Sequence, residues 1–134
     1  RGTLDFRLLC YDRKTGIKQW HHSCIKAVPH EGTHSTNGYA SASPCTNGRY
    51  IYAHFGSQGL YCLTMDGKPV WDKDFGDMHT RNEFGEGSSP TLVDDRIVIP
   101  WDHVVPCLVH VCLYAPPLPF SCENQWSSIS DCGW

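Results

Sequence analysis

Cys10-Tyr-Asp12-Arg-Lys-Thr15-Gly16-Ile-Lys-Gln-Trp20 and Cys62-Leu-Thr-Met-Asp66-Gly67-Lys-Pro-Val-Trp71 are two versions of one pattern. Each puts a cysteine at the end of an apolar run, follows it with an Asp/Thr/Gly turn, and sets a tryptophan four residues after the glycine. The second copy is one residue shorter in the turn, and the tryptophans stand 51 residues apart. A second pair shares the order. Tyr39-Ala-Ser-Ala-Ser43-Pro44 leads into Arg49-Tyr-Ile-Tyr-Ala53, and Gly87-Ser-Ser89-Pro90 leads into Arg96-Ile-Val-Ile99, with the prolines 46 residues apart. The two offsets differ because the loop after Trp20 is longer than the loop after Trp71. Two motifs in one order at nearly one period mark an internal repeat.

The residues between the motifs are strand formers and turn formers. Tyr50-Ile-Tyr-Ala53 and Ile97-Val-Ile99 are β-branched or aromatic. Thr46-Asn-Gly48, Asp66-Gly67 and Asp94-Asp95 supply tight turns between them. One repeat therefore reads as four strands, at about 40–45, 49–55, 59–64 and 68–73. Two further strands precede it (8–11 and 17–20) and two follow it (88–93 and 96–101). Four antiparallel strands in about 40–50 residues is the signature of a propeller blade. The expected fold class is all-β. It is a partial β-propeller of four-stranded antiparallel blades, incomplete at both ends: a half blade, a full blade at about 39–73, and a half blade at about 86–103.

These residues resemble the PQQ-like, quinoprotein-type β-propeller repeat family. Asp12-x-x-Thr15-Gly16-x-x-x-Trp20 looks like that family's tryptophan docking motif, and Asp66-Gly67-x-x-x-Trp71 is a shortened version without the Thr. The resemblance covers roughly residues 8–103. It implies that Asp12, Thr15 and Gly16 (and Asp66 and Gly67) shape a turn, and that Trp20 and Trp71 pack between neighbouring blades. It also implies a bacterial protein of the periplasm or the cell exterior. PQQ and calcium enter only through this resemblance. The family's dehydrogenases carry adjacent cysteines near the quinone, whereas no two cysteines are adjacent here, and their calcium ligands map onto no residues of this chain. No cofactor is expected from the residues themselves.

Composition sets other limits. The 134 residues carry 11 Lys+Arg and 14 Asp+Glu, for a formal charge of −3, which excludes a strongly basic nucleic-acid binder. All 11 basic residues lie in 1–103. Residues 104–134 hold none, yet contain four of the eight cysteines and four of the nine prolines. Two readings of this Cys/Pro-rich tail stand side by side: a break in reading frame or assembly near His103, and a native tail stapled by two disulfides. The apolar run 104–120 is too short and too rich in proline for a membrane span. With one full and two half blades, the chain is expected to be a fragment, marginal when isolated.

His30-Glu31-Gly32-Thr33-His34 matches the H-E-x-x-H spacing of zinc proteases. That chemistry needs a helix to set both histidines on one face. Pro29 before the motif, Gly32 inside it and Ser-Thr-Asn-Gly after it are loop residues, so a polar loop is expected instead. In a propeller the long inter-blade loops (21–39 and 76–87) and the turns starting at 54 and 102 emerge on one face. The candidate ligand-face residues are therefore Glu31, Asn37, Asp77, His79, Arg81, Asn82, Glu86 and Asp102. His30, His34 and His103 are metal candidates on the same face. Asn82 and Glu86 are expected to order their loop. Cys10 and Cys62, at equivalent strand positions, are expected to be small buried residues and not a bridge.

The expected function is a non-catalytic binding or scaffolding module with an unidentified protein or small-molecule partner. The alternatives are part of a PQQ-dependent quinoprotein dehydrogenase, and a metal-binding propeller loop protein.

Overall fold

The computed structural model describes residues 2–94 and 96–101. Both tail readings, Asp102 and His103 lie outside them. Among the described residues the regular structure is eight strands and two short 3-10 turns. Strands β1 (Leu4–Tyr11) and β2 (Lys18–Ala27) form a hairpin. Strands β3 (Cys45–Thr46), β4 (Tyr50–His54), β5 (Leu60–Thr64) and β6 (Pro69–Lys73) form a four-stranded sheet in sequence order. Strands β7 (Thr91–Val93) and β8 (Arg96–Val98) form a second hairpin. Every pairing is antiparallel. The described residues are thus all-β, in three separate sheets. No helix among the described residues is long and apolar enough to cross a membrane.

The internal repeat extends to strand register. Cys10 pairs with Trp20 and Cys62 pairs with Trp71. In both sheets the register slips immediately after that cysteine, between Cys10 and Tyr11 and between Cys62 and Leu63. An extra residue at this point turns the strand end and re-aims the side chains beyond it.

Side chains alternate across a strand, so the central sheet has two faces to cover. Tyr52, Leu60 and Cys62 lie on one face and pack with Ile97 and Ile99 from the last hairpin, joined by Trp71, Phe75 and Leu92. Ala53 and Leu63 lie on the other face and pack with Leu8 of β1, joined by Trp20, Ile51 and Phe55. Tyr52, Leu60 and Ile97 are completely buried. The four-stranded sheet is therefore apolar on both sides and sits between the two hairpins.

The strand limits differ from expectation for identifiable reasons. Strands β3 and β7 begin directly after Pro44 and Pro90, not at 40 and 88, because proline has no N–H to give a ladder. Strand β2 runs on to Ala27, so the loop expected at 21–39 spans 28–44. His21 and His22 are ladder residues opposite Leu9 and Leu8, not the start of a loop. Cys10, Cys24, Cys45 and Cys62 are free thiols; Cys62 is buried and the other three are half-buried. Burial pushes the Cys62 thiol up to about 12, so it stays protonated and inert at neutral pH.

Candidate functional site

The loops 28–44 and 74–90 converge on the 3-10 turn Gly56–Gln58 that joins β4 to β5. Neither long loop carries a sheet ladder, so their polar groups are satisfied by one another. The Phe84 carbonyl accepts from the His34 amide at 3.1 Å and from the Asn37 side chain at 3.2 Å. The Tyr39 hydroxyl donates to the Glu31 carbonyl at 3.2 Å. Residues 30–34 form an irregular loop, as expected from Pro29 and Gly32. His34 is exposed, accepts from Thr36 and stacks edge-on against Phe84. It takes no part in the cluster around His30.

That cluster is built on Glu31, which is buried with 7% of its surface exposed. Its Oε1 accepts from the Thr80 amide at 2.9 Å and from the Thr80 hydroxyl at 2.6 Å. Its Oε2 faces His79 Nδ1 at 3.3 Å and His30 Nε2 at 3.9 Å. Burial works to raise the Glu31 carboxyl, but the Thr80 hydroxyl and amide, then His79 and His30, outweigh it and hold it below the ordinary glutamate value. His30 itself sits between the Met78 carbonyl, 2.9 Å from Nε2, and Asp77 Oδ1, 3.6 Å from Nδ1. The His30 and His79 rings meet edge to face, with centroids 5.3 Å apart.

Glu86 is the second carboxylate of this face and is set up in the opposite way. It accepts from the Ser57 amide, and from the Ser57 hydroxyl at 2.5 Å. The same hydroxyl accepts the Met78 amide at 2.7 Å. Here burial wins: it raises the carboxyl above its ordinary value even though both Ser57 groups pull it down. The two environments push one carboxylate toward the charged form and the other toward the neutral form.

Of the sequence candidates, the fold brings His30, Glu31, Asp77 and His79 into one group and sets Glu86 nearby through Ser57 and Met78. Asn37 joins the two loops through the Phe84 carbonyl, and Glu86 joins its loop to the turn at Ser57. Asn82 takes a left-handed backbone at φ 59° in the 3-10 turn Arg81–Glu83, where Arg81 and Asn82 are exposed. His54, expected in the turn after β4, instead ends that strand, buried, with Nδ1 3.2 Å from the Ser88 carbonyl. Thr80 and Ser57 escaped sequence reasoning. Each is a lone hydroxyl whose carboxylate partner lies 49 or 29 residues away, a separation that no local pattern encodes.

The cavity beside these groups, lined by Phe6, Tyr39, Phe55, Ser57 and Glu86, holds about 20 Å³, room for about one water. A wider cleft of about 310 Å³ lies between β1 and β3 and is lined mainly by Leu8, Leu9, Tyr11, Pro44 and Met65. Among the described residues the polar face is thus a surface of hydrogen-bonded loops around a cavity of about one water. No protein-family model, characterised protein or solved structure matches this chain.

Proposed function

We propose that the chain is a run of PQQ-like β-propeller repeats serving as a non-catalytic binding or scaffolding module in the bacterial periplasm or outside the cell. The observation that carries this reading is the seat of Trp20. Its indole lies against Gly67, in the equivalent turn of the next sheet, and its Nε1–H donates to the Met65 carbonyl at 3.2 Å. A tryptophan of one repeat resting on the turn of the next is the arrangement that the docking motif implies. The two Ser-Pro segments support the same reading: the Ser43 amide donates to the Ser89 hydroxyl at 2.9 Å, so equivalent positions of successive repeats are neighbours. What supports a scaffolding role is that the described residues of the loop face are tied to one another by internal hydrogen bonds.

The test is addition of PQQ and Ca²⁺ to the purified full chain, followed by tryptophan fluorescence and by dye-linked alcohol oxidation. The expected result is no saturable quenching and no turnover. Saturable one-to-one binding with turnover would replace the scaffold with the quinoprotein dehydrogenase.

A further inference from the structure

We propose that His30, Glu31 and His79 form a binding site for a zinc-type divalent cation. Nε2 of His30 and Nδ1 of His79 lie 3.9 and 3.3 Å from the same Glu31 oxygen. One donor atom from each of the three residues falls within 4.8 Å of the other two. Donors about 2.1 Å from a tetrahedral ion stand about 3.4 Å from each other, so the set closes when the His30 ring turns from the Met78 carbonyl and separations of at most 4.8 Å shorten by up to about 1.4 Å. Two imidazoles and one carboxylate suit zinc and late first-row metals; magnesium and calcium take mostly oxygen. Three protein ligands leave the fourth position to water, and exposed His79 gives the ion access.

The surroundings hold these ligands in place. The Thr80 amide and hydroxyl occupy the other Glu31 oxygen and fix the carboxylate plane. Asp77 stands 3.6 Å from His30 Nδ1, where a carboxylate supports a metal-binding imidazole. Without metal, His30 Nε2–H donates to the Met78 carbonyl. On binding, Nε2 presents its lone pair to the ion, the ring proton resides on Nδ1 facing Asp77, and the Met78 carbonyl is left to water. This ligand set replaces the pairing of His30 with His34 suggested by the H-E-x-x-H spacing. Ligation depends on these three side chains and not on the family of the repeat, so it stands or falls independently of the PQQ experiment.

The test is calorimetric titration of the full chain with Zn²⁺, paralleled by Co²⁺ absorption. The expected outcome is a site whose cobalt spectrum shows weak visible bands and no thiolate charge-transfer band. His79→Ala, at an exposed position, then weakens binding at least tenfold, and Glu31→Gln does the same while keeping an oxygen for Thr80. His34→Ala leaves the affinity unchanged. His79→Gln carries the test if circular dichroism shows that His79→Ala perturbs the fold. Unaltered affinity in the folded His79 variant, a cobalt spectrum dominated by thiolate, or an equal loss in His34→Ala would overturn the site.

Discussion

The turns before Trp20 and Trp71 solve one geometric problem with different chemistry. In the first, the Asp12 carboxylate accepts the Lys14 amide at 3.1 Å, the Thr15 amide at 2.7 Å and the Thr15 hydroxyl at 2.8 Å. In the second, the residue two places after the cysteine is Thr64. Its hydroxyl bonds Asp66 and accepts the Lys68 amide at 3.1 Å. Thr64 therefore stands in the place of Asp12, and Asp66 is not the structural counterpart that the sequence pairing suggests. Both turns end on a glycine in the left-handed region, Gly16 at φ +70° and Gly67 at φ +80°. Their surroundings differ. A β-carbon on Gly16 meets nothing within 4 Å, whereas one on Gly67 falls 2.7 Å from the Trp20 ring. The first turn satisfies only itself; the second also receives a side chain from the preceding sheet.

That difference predicts unequal costs for one substitution. Gly67→Ala incurs both the left-handed penalty and a clash with Trp20, about 2–4 kcal/mol together. Gly16→Ala incurs the penalty alone, about 1 kcal/mol. Urea denaturation of the full chain, followed by tryptophan fluorescence, measures both. Equal costs would show that Trp20 does not rest on the second turn in solution.

Trp20→Phe sharpens the same contrast with a smaller effect. It removes the bond to the Met65 carbonyl and part of the ring, for a loss of about 1–2 kcal/mol. Because the smaller ring makes room, Gly67→Ala costs less in the Trp20→Phe background, with a coupling of about 1 kcal/mol. A double-mutant cycle with no coupling would separate the two residues.

The repeat and its strands were legible because both are written locally. Alternating Tyr50-Ile51-Tyr52 and the Asn47-Gly48 turn need only their neighbours: Asn47 Oδ1 accepts the Arg49 and Tyr50 amides at 3.0 and 2.8 Å. The repeated Gly-x-x-x-Trp pattern was legible in the sequence, but the hydrogen bond from Trp20 to the Met65 carbonyl was not. The candidate site divides along the same line. His30, Glu31, Asp77 and His79 could be named because their residue types stand out in loops. Their partnership could not, since Glu31 and His79 are 48 residues apart and meet only through the two long loops. The H-E-x-x-H spacing pointed to His34, and a helix would have delivered it. In a loop, residues i and i+4 share no face, and His34 turns instead toward Phe84.

The smallest expected effect is the response of the two turns to acid. Thr15, by its hydroxyl and then its amide, holds the Asp12 carboxyl below its ordinary value of 3.8, and the Thr64 hydroxyl and Lys68 do the same for Asp66. A carboxyl depressed in the folded state contributes stability above its unfolded value, and that contribution is lost as pH falls through the folded value. Both turns therefore weaken below about pH 3.8, and Asp12→Asn gives a flatter melting temperature against pH than the parent. Glu86 has the opposite sign. Its carboxyl is raised by burial, so protonation as the pH falls toward the ordinary glutamate value of 4.5 favours the folded chain. Glu86→Gln removes that compensation, and its melting temperature falls more steeply with acid than the parent's. Thermal melts of the parent and both variants across the acidic range read the two signs separately. Parallel curves for all three would mean that neither turn nor loop face holds its carboxylate as the hydrogen bonds describe.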